Sequence, residues 1–405
     1  MESQIINHRN LYRLPWNLAD NAISWLEPTA ACNLACDGCY RKNEPNSHKT
    51  IDEIKNELGV FKRLRNSDCI SIAGGDPLVY PNIIELVREI KLHGWKPIIN
   101  TNGKTLTMKL LKELKKAGVF GFTFHVDSKQ AGRGSEWKDK NELDLNELRL
   151  HYAQMLADVG GIACSFNSTV YEDTVQYVPD LVGWAQKHID IVNTMVFIIF
   201  RYIIPKMPFD WYAGSRKVEW QKIMYHSDEN RKVDLLSTDL LKLVKERFPD
   251  FHPCAYLNGT QKVDSYKWLL TERVGTKKKL YGYPGSKFME LMMTSHHFIN
   301  GTYLSYASPS LSKMGRSGMF FLWPFDKGLR KAFLKMLKNP LRIFKRAHFQ
   351  TILFIQPVDF METGEQSMCD GCPDITVYKD NLVWSCRLEE PKRYGVFLRS
   401  VPREN

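Results

Sequence analysis

Between Ala22 and Arg201 the chain alternates short β-branched runs with longer amphipathic runs. Short runs of this kind predict strands, and amphipathic runs predict helices. The predicted strands are Ala22–Glu27, Cys69–Ala73, Lys96–Asn100, Gly121–Val126, Ala163–Thr169 and Thr194–Phe200. Since strands separated by helices need crossover connections, the sheet should be parallel. The alternation therefore predicts an α/β core of six strand–helix units.

Five helices are predicted between these strands. The first has a clear start, because Thr50 followed by Glu53 forms a capping box. The predicted helices are Ile51–Arg65, Ile83–His93, Met108–Ala117, Asn146–Val159 and Val178–His188.

The alternation ends after Arg201, where Pro205 and Pro208 interrupt the pattern. We therefore expect four parts in the 405-residue chain. They are an N-terminal segment over residues 1–20, the core over 21–202, a linker with helices over 203–252, and a C-terminal α+β region over 253–405.

The composition restricts the class of protein. A net charge of +11 favours a negatively charged partner such as phosphate groups, lipid headgroups or nucleic acid, although a merely soluble basic surface fits equally well. Nine cysteines, an odd number, and no secretory signal argue against a disulfide scaffold. The longest apolar run, Met195 to Phe200, is far shorter than the ~20 residues of a membrane span. We expect a cytoplasmic protein, or one bound peripherally at the inner membrane face.

Three cysteines follow the first predicted strand with the spacing Cys-x3-Cys-x2-Cys: Cys32, Cys36 and Cys39. Their thiolates can hold three irons of one [4Fe–4S] cubane, which usually takes four cysteines, so one iron would stay open to a small molecule. A structural zinc site is the alternative, but zinc sites more often pair two Cys-x2-Cys units. The unequal spacing favours the cluster.

Polar or glycine residues follow the ends of the predicted strands. The second strand runs into Gly74-Gly75-Asp76-Pro77, where two glycines allow a sharp turn and close backbone approach to a ligand. Further candidates at the other strand ends are Asn102, Asp127, Asn167 and Arg201. Taken alone, each of these residues is explained equally well as a turn or strand-end cap residue and as a ligand. As a series around one mouth they favour binding, because sites lie at the C-terminal ends of strands in complete barrels.

These motifs resemble the radical S-adenosylmethionine (radical SAM) superfamily. The cysteine loop with Tyr40 directly after it, the turn similar to Gly-Gly-Glu-Pro, and Thr101-Asn102-Gly103 carry the resemblance. It implies a partial (β/α)6 TIM-like barrel over about half of the chain. Asp76 stands where the family usually has Glu, which keeps the turn chemistry.

The resemblance also implies a mechanism. SAM would chelate the open iron, and one electron from a donor such as flavodoxin or ferredoxin would cleave it to methionine and a 5′-deoxyadenosyl radical. That radical takes hydrogen from an unactivated carbon. Gly74, Gly75 and Asp76 would hold the SAM amino group, and Tyr40 would pack near the adenine. The strand-end series Asn102, Asp127, Asn167 and Arg201 would reach the ribose, the methionyl carboxylate or the substrate.

Four cysteines lie in the C-terminal region: Cys254, Cys369, Cys372 and Cys386. They resemble a reduced form of the SPASM or twitch extensions, which implies one auxiliary [4Fe–4S] cluster with Cys254 as the candidate fourth ligand. An auxiliary cluster with an open iron for substrate is an alternative, and zinc would satisfy the same four thiolates. Cys69 and Cys164, on predicted strands, are interpreted as small core residues.

The stretch from Lys327 to Arg346 interleaves basic and apolar residues, and Pro340 should divide it into two helices. Such a segment can lie on an anionic membrane, or it can dock on its own domain. The apolar residues around it favour an apolar or lipid substrate.

Three hypotheses for function follow. The first is a radical SAM enzyme that acts on a lipid or other apolar substrate near a membrane. The second is a peptide (RiPP) or RNA modifier. We recognise no obvious leader-binding domain in the residues before Cys32, and nucleic acid is not favoured, since no RNA-binding module is recognisable. The third is a zinc-stabilised binding protein without radical chemistry.

Overall fold

The computed structural model describes residues 6–338 and 345–403. Its strands are β1 (Tyr12–Arg13), β2 (Ile23–Thr29), β3 (Ala35–Cys36), β4 (Cys69–Gly74), β5 (Lys96–Thr101), β6 (Gly121–His125), β7 (Gln130–Ala131), β8 (Ala163–Val170), β9 (Thr194–Ile199), β10 (Phe209–Ala213), β11 (Arg216–Val218), β12 (Ala255–Asn258), β13 (Tyr266–Gly275), β14 (Leu280–Gly282), β15 (His348–Ile355), β16 (Asp359–Phe360), β17 (Gln366–Ser367), β18 (Ile375–Tyr378), β19 (Asn381–Trp384) and β20 (Arg399–Pro402).

The helices of the described residues include all five that the sequence predicts. They are α1 (Ile51–Leu64), α2 (Ile83–Leu92), α3 (Met108–Ala117), α4 (Asn146–Val159), α5 (Val178–Lys187), α6 (Ser237–Arg247), α7 (Ser286–Asn300), α8 (Pro309–Ser312), α9 (Gly315–Leu322), α10 (Lys327–Leu337) and α11 (Glu389–Tyr394). The capping box at the start of α1 is confirmed, since Thr50 accepts from the N–H of Glu53 and Glu53 accepts from the N–H of Thr50. Within the described parts of the chain, no helix is long and apolar enough to cross a membrane.

One large sheet forms the centre of the molecule, in the order β1-β12-β13-β15-β9-β8-β6-β5-β4-β2. The six predicted strands are present and parallel in sequence order from β2 to β9. The α/β prediction with a partial TIM-like barrel is therefore confirmed. β1 and β2, at the two ends of this order, are not paired with each other, so the described strands leave the barrel open.

The sheet continues across the boundary predicted between residues 252 and 253. β15 adds to β9 in parallel, and β13 and β12 follow by antiparallel pairing. The intervening region 203–252 contains the β10–β11 hairpin and α6. The C-terminal region thus extends the same sheet as the six-strand core and places its cysteines beside that core.

The two faces of the sheet bury different clusters because successive side chains of a strand point in opposite directions. Along β9, Met195 and Phe197 pack on the side of the helices, whereas Val196 packs on the inner side. Cys69 is fully buried on the inner side and Cys164 is 1% exposed on the helix side. Both cysteines are core residues, as predicted.

The segment from α7 to α10 covers one end of the inner face. Met293, Met319 and Leu329 pack into the inner cluster. The Gly315 N–H donates to the carbonyl of Ala347, the residue before β15, at 3.1 Å. This segment therefore closes the N-terminal ends of the parallel strands and leaves their C-terminal ends for the site.

Candidate functional site

The cysteine loop lies at the C-terminal ends of the parallel strands. It follows β2, and β3 within it pairs with β7 so that Cys36 lies opposite Gln130. β7 in turn follows the end of β6. Two parallel strands therefore hold the loop from two sides, at the edge where barrel sites are found.

Aromatic rings and one arginine support the tip of the loop. Gly38 has a φ of 64°, and a Cβ on it would overlap the ring of Phe200, so this position requires glycine. Tyr171 Oη donates to the carbonyl of Asp37 at 3.1 Å, and Arg231 pairs with the Asp37 carboxylate at 3.0 Å. These contacts fix the backbone between the second and third cysteines.

Two side-chain amides are directed at the sulfur atoms of the loop. Gln130 Nε2 lies 3.6 Å from Cys36 Sγ, and Asn102 Nδ2 lies 3.9 Å from Cys32 Sγ. N–H groups at these positions stabilise negative charge on a thiolate.

The three thiols affect one another's ionisation. Removal from water raises the pKa of each of them, most strongly that of Cys36. The Asp127 carboxylate, then Cys39 and Cys32, raise the pKa of Cys36 further. Thiolate charge on Cys32 or Cys39 therefore disfavours ionisation of Cys36, and a metal that binds the three thiols must displace their protons.

The donor set fits an iron–sulfur cubane, because the loop offers three thiols within eight consecutive residues. Each cysteine of a cubane binds its own iron, so the three sulfurs need to share a face of the cluster and not a point. Three thiols on one braced loop, two of them with amide donors, meet that requirement.

The Gly74-Gly75 turn packs against the backbone that leads into the cysteine loop. Gly74 has a φ of 106°, and the Gly75 N–H donates to the carbonyl of Thr29 at 2.8 Å. A Cβ on Gly75 would overlap the carbonyl of Ala31, the residue before Cys32. The absence of a Cβ is therefore required by the chain's own backbone, which explains the two glycines without a ligand.

Asp76 fastens this turn to the end of β5. Its carboxylate accepts from Thr101 Oγ1 at 2.8 Å, from the Asn102 N–H at 2.7 Å and from the Leu78 N–H at 2.9 Å. Burial raises its pKa, although these hydrogen bonds oppose the effect. The carboxylate is already satisfied by the protein, and its effect is to place Asn102 beside Cys32.

Asp127 holds a histidine at the barrel mouth. Its carboxylate lies 2.7 Å from His125 Nε2, and Thr169 Oγ1 lies 2.9 Å from the same nitrogen. Burial acts to raise the pKa of Asp127, but the imidazole lowers it below its usual range. Asn167 lies opposite His125 in the β6–β8 pairing. The structure therefore brings Asp127 and Asn167 to one edge, as the strand-end series predicts.

Arg201 and Tyr40 are directed elsewhere. The Arg201 guanidinium pairs with Asp359 at 3.0 Å and donates to the carbonyl of Leu235, which joins the end of β9 to later segments. The Tyr40 ring lies 5.1 Å from the guanidinium of Arg41 and packs against an apolar cluster made of residues between Ile203 and Tyr225 together with Leu398. Arg201 and Tyr40 therefore both contact segments that follow the six-strand core.

Three of the four C-terminal cysteines come together. A hydrogen bond with Cys369, followed by burial, raises the pKa of Cys372. Burial raises the pKa of Cys386 to about 12, and Cys369 contributes. The three thiols therefore form a second group, which we name the C-terminal trio.

Cys254 is not part of the C-terminal trio. Its Sγ donates to the carbonyl of Leu270 at 3.5 Å inside the barrel. Gly259 forms an isolated bridge with Cys369, and Cys254 lies five residues earlier along extended chain, on the order of 15 Å away. This separation contradicts the prediction that Cys254 is the fourth ligand.

The C-terminal trio lies at the open edge of the barrel. Arg65, after α1, donates to the carbonyl of Cys372 at 3.0 Å, and Asn21, before β2, donates to the carbonyl of Gly371 at 3.1 Å. On the other side, Arg13 of β1 pairs with Asp370 at 2.7 Å. The Cys369–Cys372 turn therefore fills the gap between β1 and β2.

A buried arginine joins the two cysteine groups. Arg41 pairs with Glu27 and donates to the carbonyl of Ser385 at 2.5 Å. Arg41 is two residues after Cys39, and Ser385 precedes Cys386. Sequence reasoning missed Arg41 and Gln130, because their partners Ser385 and Cys36 lie 344 and 94 residues away; only the cysteine spacing indicated that donors were needed nearby.

Comparison with known proteins matches the first cysteine group to a family. Residues 26–129 match the model of the Radical SAM superfamily. Similar curated proteins include a tungsten-containing aldehyde ferredoxin oxidoreductase cofactor-modifying protein of Pyrococcus furiosus, 34% identical over 25% of this chain and 30% of that protein. An AdoMet-dependent heme synthase of Oleidesulfovibrio alaskensis is 25% identical over 43% of this chain and 46% of that protein. A probable GTP 3′,8-cyclase of Pyrococcus abyssi is 30% identical over 25% and 33%.

The chain spans less than half of the length of these relatives. Among solved structures, Streptococcus suis SuiB bound to precursor peptide SuiA is similar with a TM-score of 0.40 and 16% identity, over 58% of this chain and 46% of that chain. The peptide-bound anSMEcpe structure is similar with a TM-score of 0.34 and 15% identity, over 46% and 54%.

Proposed function

We propose that this chain is a radical SAM enzyme in which Cys32, Cys36 and Cys39 bind one [4Fe–4S] cluster that serves hydrogen abstraction from an unactivated carbon. When bound, the cluster and SAM supply the radical, after one electron from a donor such as flavodoxin or ferredoxin. One observation carries the proposal. The three thiols share one loop that β7 and the Gly-Gly turn brace at the C-terminal edge of the parallel sheet.

Several side chains hold the cysteine loop and the neighbouring turn in place at the C-terminal edge of the parallel sheet. Asp76 holds the turn that places Asn102, and Arg231 holds the tip of the loop through Asp37. The Asp127 carboxylate lies 2.7 Å from His125 Nε2, and Thr169 Oγ1 lies 2.9 Å from the same nitrogen. These two contacts hold the His125 imidazole at the mouth of the barrel.

The experiment is anaerobic reconstitution of the full chain and of a variant with Cys32, Cys36 and Cys39 changed to alanine. The variant should contain about four fewer irons and sulfides per chain and should not cleave SAM. Zinc at full occupancy without iron in the parent protein would contradict the proposal and favour the zinc-stabilised binding protein.

We also propose that the C-terminal trio of Cys369, Cys372 and Cys386 binds an auxiliary [4Fe–4S] cluster. Cys369 contributes to the raised pKa of both Cys372 and Cys386, which supports this, as does the position of the trio at the barrel opening. Because Cys254 lies far from the C-terminal trio, the trio supplies three cysteine ligands for a cluster of four irons. The alanine variant of the first loop should therefore retain iron with its own electron paramagnetic signal; iron-free protein would contradict an auxiliary cluster.

We propose an apolar or lipid substrate, with the enzyme docked peripherally on an anionic membrane. The support for membrane docking is an exposed aromatic surface on α9 and the turn after it. Phe320 is 57% exposed, Phe321 68% and Phe325 63%. The Phe320 ring contacts Phe333 of α10 at 6.1 Å between centroids, and Trp323 stacks on the same ring at 6.0 Å. Contiguous exposed apolar area of this kind marks an interaction surface.

Helix α10 supplies the positive charge beside this surface. Leu329, Ala332 and Met336 are buried against the domain, so α10 docks on its own protein as one alternative expected. Its opposite side exposes Lys327, Lys331, Lys335 and Lys338 beside Leu334. Lysines next to exposed aromatic and leucine side chains are complementary to anionic headgroups. Pro340, the expected division of this stretch, lies outside the described residues.

This aromatic and basic surface adjoins the N-terminal ends of the parallel strands, through Gly315 and Ala347. The cysteine loop is at their other ends. The surface would therefore anchor the enzyme to the membrane and would not line the mouth of the barrel, where the cysteine loop lies.

Vesicle sedimentation tests the membrane proposal. Protein should sediment with anionic vesicles and be released as salt rises, because exposed charges are screened within ~10 Å at about 0.1 M salt. Charge reversal at Lys331, Lys335 and Lys338 should abolish sedimentation. A matched control reverses the exposed lysines 109, 112 and 116 of α3, which should change little. Equal loss in both variants, or no binding, would contradict the proposal and favour the peptide or RNA alternative.

A further inference from the structure

We propose that Gln130 and Asn102 raise the reduction potential of the cluster in the first cysteine loop by donating hydrogen bonds to Cys36 Sγ and Cys32 Sγ. The inference rests on the proposed function, because it requires that cluster. No sequence motif indicates this role for Gln130. For Asn102, the role differs from the direct SAM contact that the resemblance implies.

The orientation of the Gln130 amide is fixed by its neighbours. Its Oε1 accepts from Arg133 at 2.5 Å and from the Asp127 N–H at 3.3 Å. Because two donors face the oxygen, the NH2 group must face the other way, toward Cys36 Sγ at 3.6 Å and the carbonyl of His125 at 3.2 Å. Gln130 is 8% exposed, so water does not compete freely for this amide.

The Asn102 amide is fixed in the same manner. Its Oδ1 accepts from the Lys104 N–H at 2.8 Å, and its Nδ2 donates to Asn33 Oδ1 at 2.7 Å while lying 3.9 Å from Cys32 Sγ. The longer distance to sulfur predicts a smaller effect than that of Gln130.

One arginine holds the side-chain amide of Gln130 and the backbone of Asn102. Arg133 donates to Gln130 Oε1 at 2.5 Å, to the carbonyl of Asn102 at 2.7 Å and to the carbonyl of His125 at 3.0 Å. It is 8% exposed. The two donors are therefore held in a rigid arrangement before any cluster binds, and little reorganisation is needed on reduction.

The electrostatics explain why donors are needed at this loop. A [4Fe–4S] cluster on this loop would carry the negative charge of the thiolates of Cys32, Cys36 and Cys39, so further negative charge is disfavoured there. One-electron reduction adds that charge. Hydrogen bonds to cluster sulfurs are among the determinants of iron–sulfur potentials. The two amides thus bring the cluster within reach of a flavodoxin or ferredoxin donor.

The test is an anaerobic potentiometric titration, monitored by electron paramagnetic resonance, in a background with the C-terminal trio changed to alanine. Gln130→Met removes the donor without adding charge. It should keep its iron and give a more negative midpoint potential than the parent, and Gln130→Glu should give a still more negative one. Gln154→Met, which removes an amide on the exposed side of α4, is the matched control and should not change the potential.

Asn102→Asp gives an independent measurement, because it keeps the oxygen that accepts from Lys104 and loses the donor to Cys32. Its potential should also fall. An unchanged midpoint potential in whichever of these variants retains its iron overturns the inference while the proposed cluster stands. Absence of iron in the parent protein overturns the proposed function instead.

Discussion

The two cysteine groups are assembled differently. The first loop takes all three thiols from eight consecutive residues, and strand pairing with β7 and hydrogen-bonded turns brace it. The C-terminal trio joins Cys369 and Cys372 to Cys386 across the β18–β19 hairpin, and it fills the gap between β1 and β2. A local group can be identified from spacing alone. A group whose members come from separate segments needs the fold before its membership can be assigned.

Reciprocal alanine variants should separate the two groups, with the largest effect expected in this molecule. Changing Cys369, Cys372 and Cys386 to alanine should remove about four irons and leave slow SAM cleavage without substrate intact. Changing the first loop should abolish SAM cleavage and leave the auxiliary iron. Iron, sulfide and 5′-deoxyadenosine assays measure this. Loss of all iron in either variant would show that the groups share one cluster.

Gly75→Val should damage the first loop itself. The added side chain would collide with the carbonyl of Ala31 beside Cys32. Cluster content should therefore fall, and the free energy of unfolding should drop by about 3 kcal/mol. Gly59→Ala in α1, where a Cβ meets no atom closer than 3.8 Å, is the control and should stabilise by about 0.5 kcal/mol. Normal iron content with weakened SAM binding in Gly75→Val would instead indicate direct SAM contact at the turn.

The pKa of Glu272 reports whether water is excluded from the barrel interior around Cys254. Burial raises the pKa of Glu272 to about 7 from 4.5, against a hydrogen bond from Thr351. Because the folded state binds the proton more tightly than the unfolded state, stability is greatest below pH 4.5 and is lost as pH rises through 7. The loss should be on the order of 3 kcal/mol. Urea unfolding of metal-free protein should show this pH dependence, and Glu272→Gln should reduce it; identical profiles would contradict a buried carboxylate.

Cys254→Ala should have the smallest effect. It removes a buried thiol with a weak hydrogen bond to Leu270, at a cost of about 1 kcal/mol. The auxiliary iron content should stay unchanged, whereas Cys369→Ala should lower it. Loss of auxiliary iron in Cys254→Ala would restore Cys254 as a ligand.

Local patterns made the core predictable. The six parallel strands and the Thr50 capping box depend on residues close in sequence, and each lies within about two residues of its predicted place. The continuation of the sheet through β12, β13 and β15 was not predictable, because these strands find their partners only through the fold. β15 pairs with β9, for example, more than 140 residues away in sequence.

The same distinction applies to the site residues. The cysteine loop and the Gly-Gly turn are local patterns, so the sequence alone could propose them as parts of the site. Arg201 was placed in the strand-end series, but its ion-pair partner Asp359 is 158 residues away, and nothing near Arg201 indicates it. Gln130 carries no motif, and only the pairing of β3 with β7 brings it to Cys36. Side chains whose partners lie far along the chain need the structure.

The most direct test of the account is electron paramagnetic resonance of the reduced protein in which the C-terminal trio is changed to alanine, recorded with and without SAM. We expect a single [4Fe–4S]⁺ signal that changes when SAM is added, because the loop of Cys32, Cys36 and Cys39 leaves one iron open. A signal that SAM does not change, or no iron–sulfur signal at all, would contradict the account.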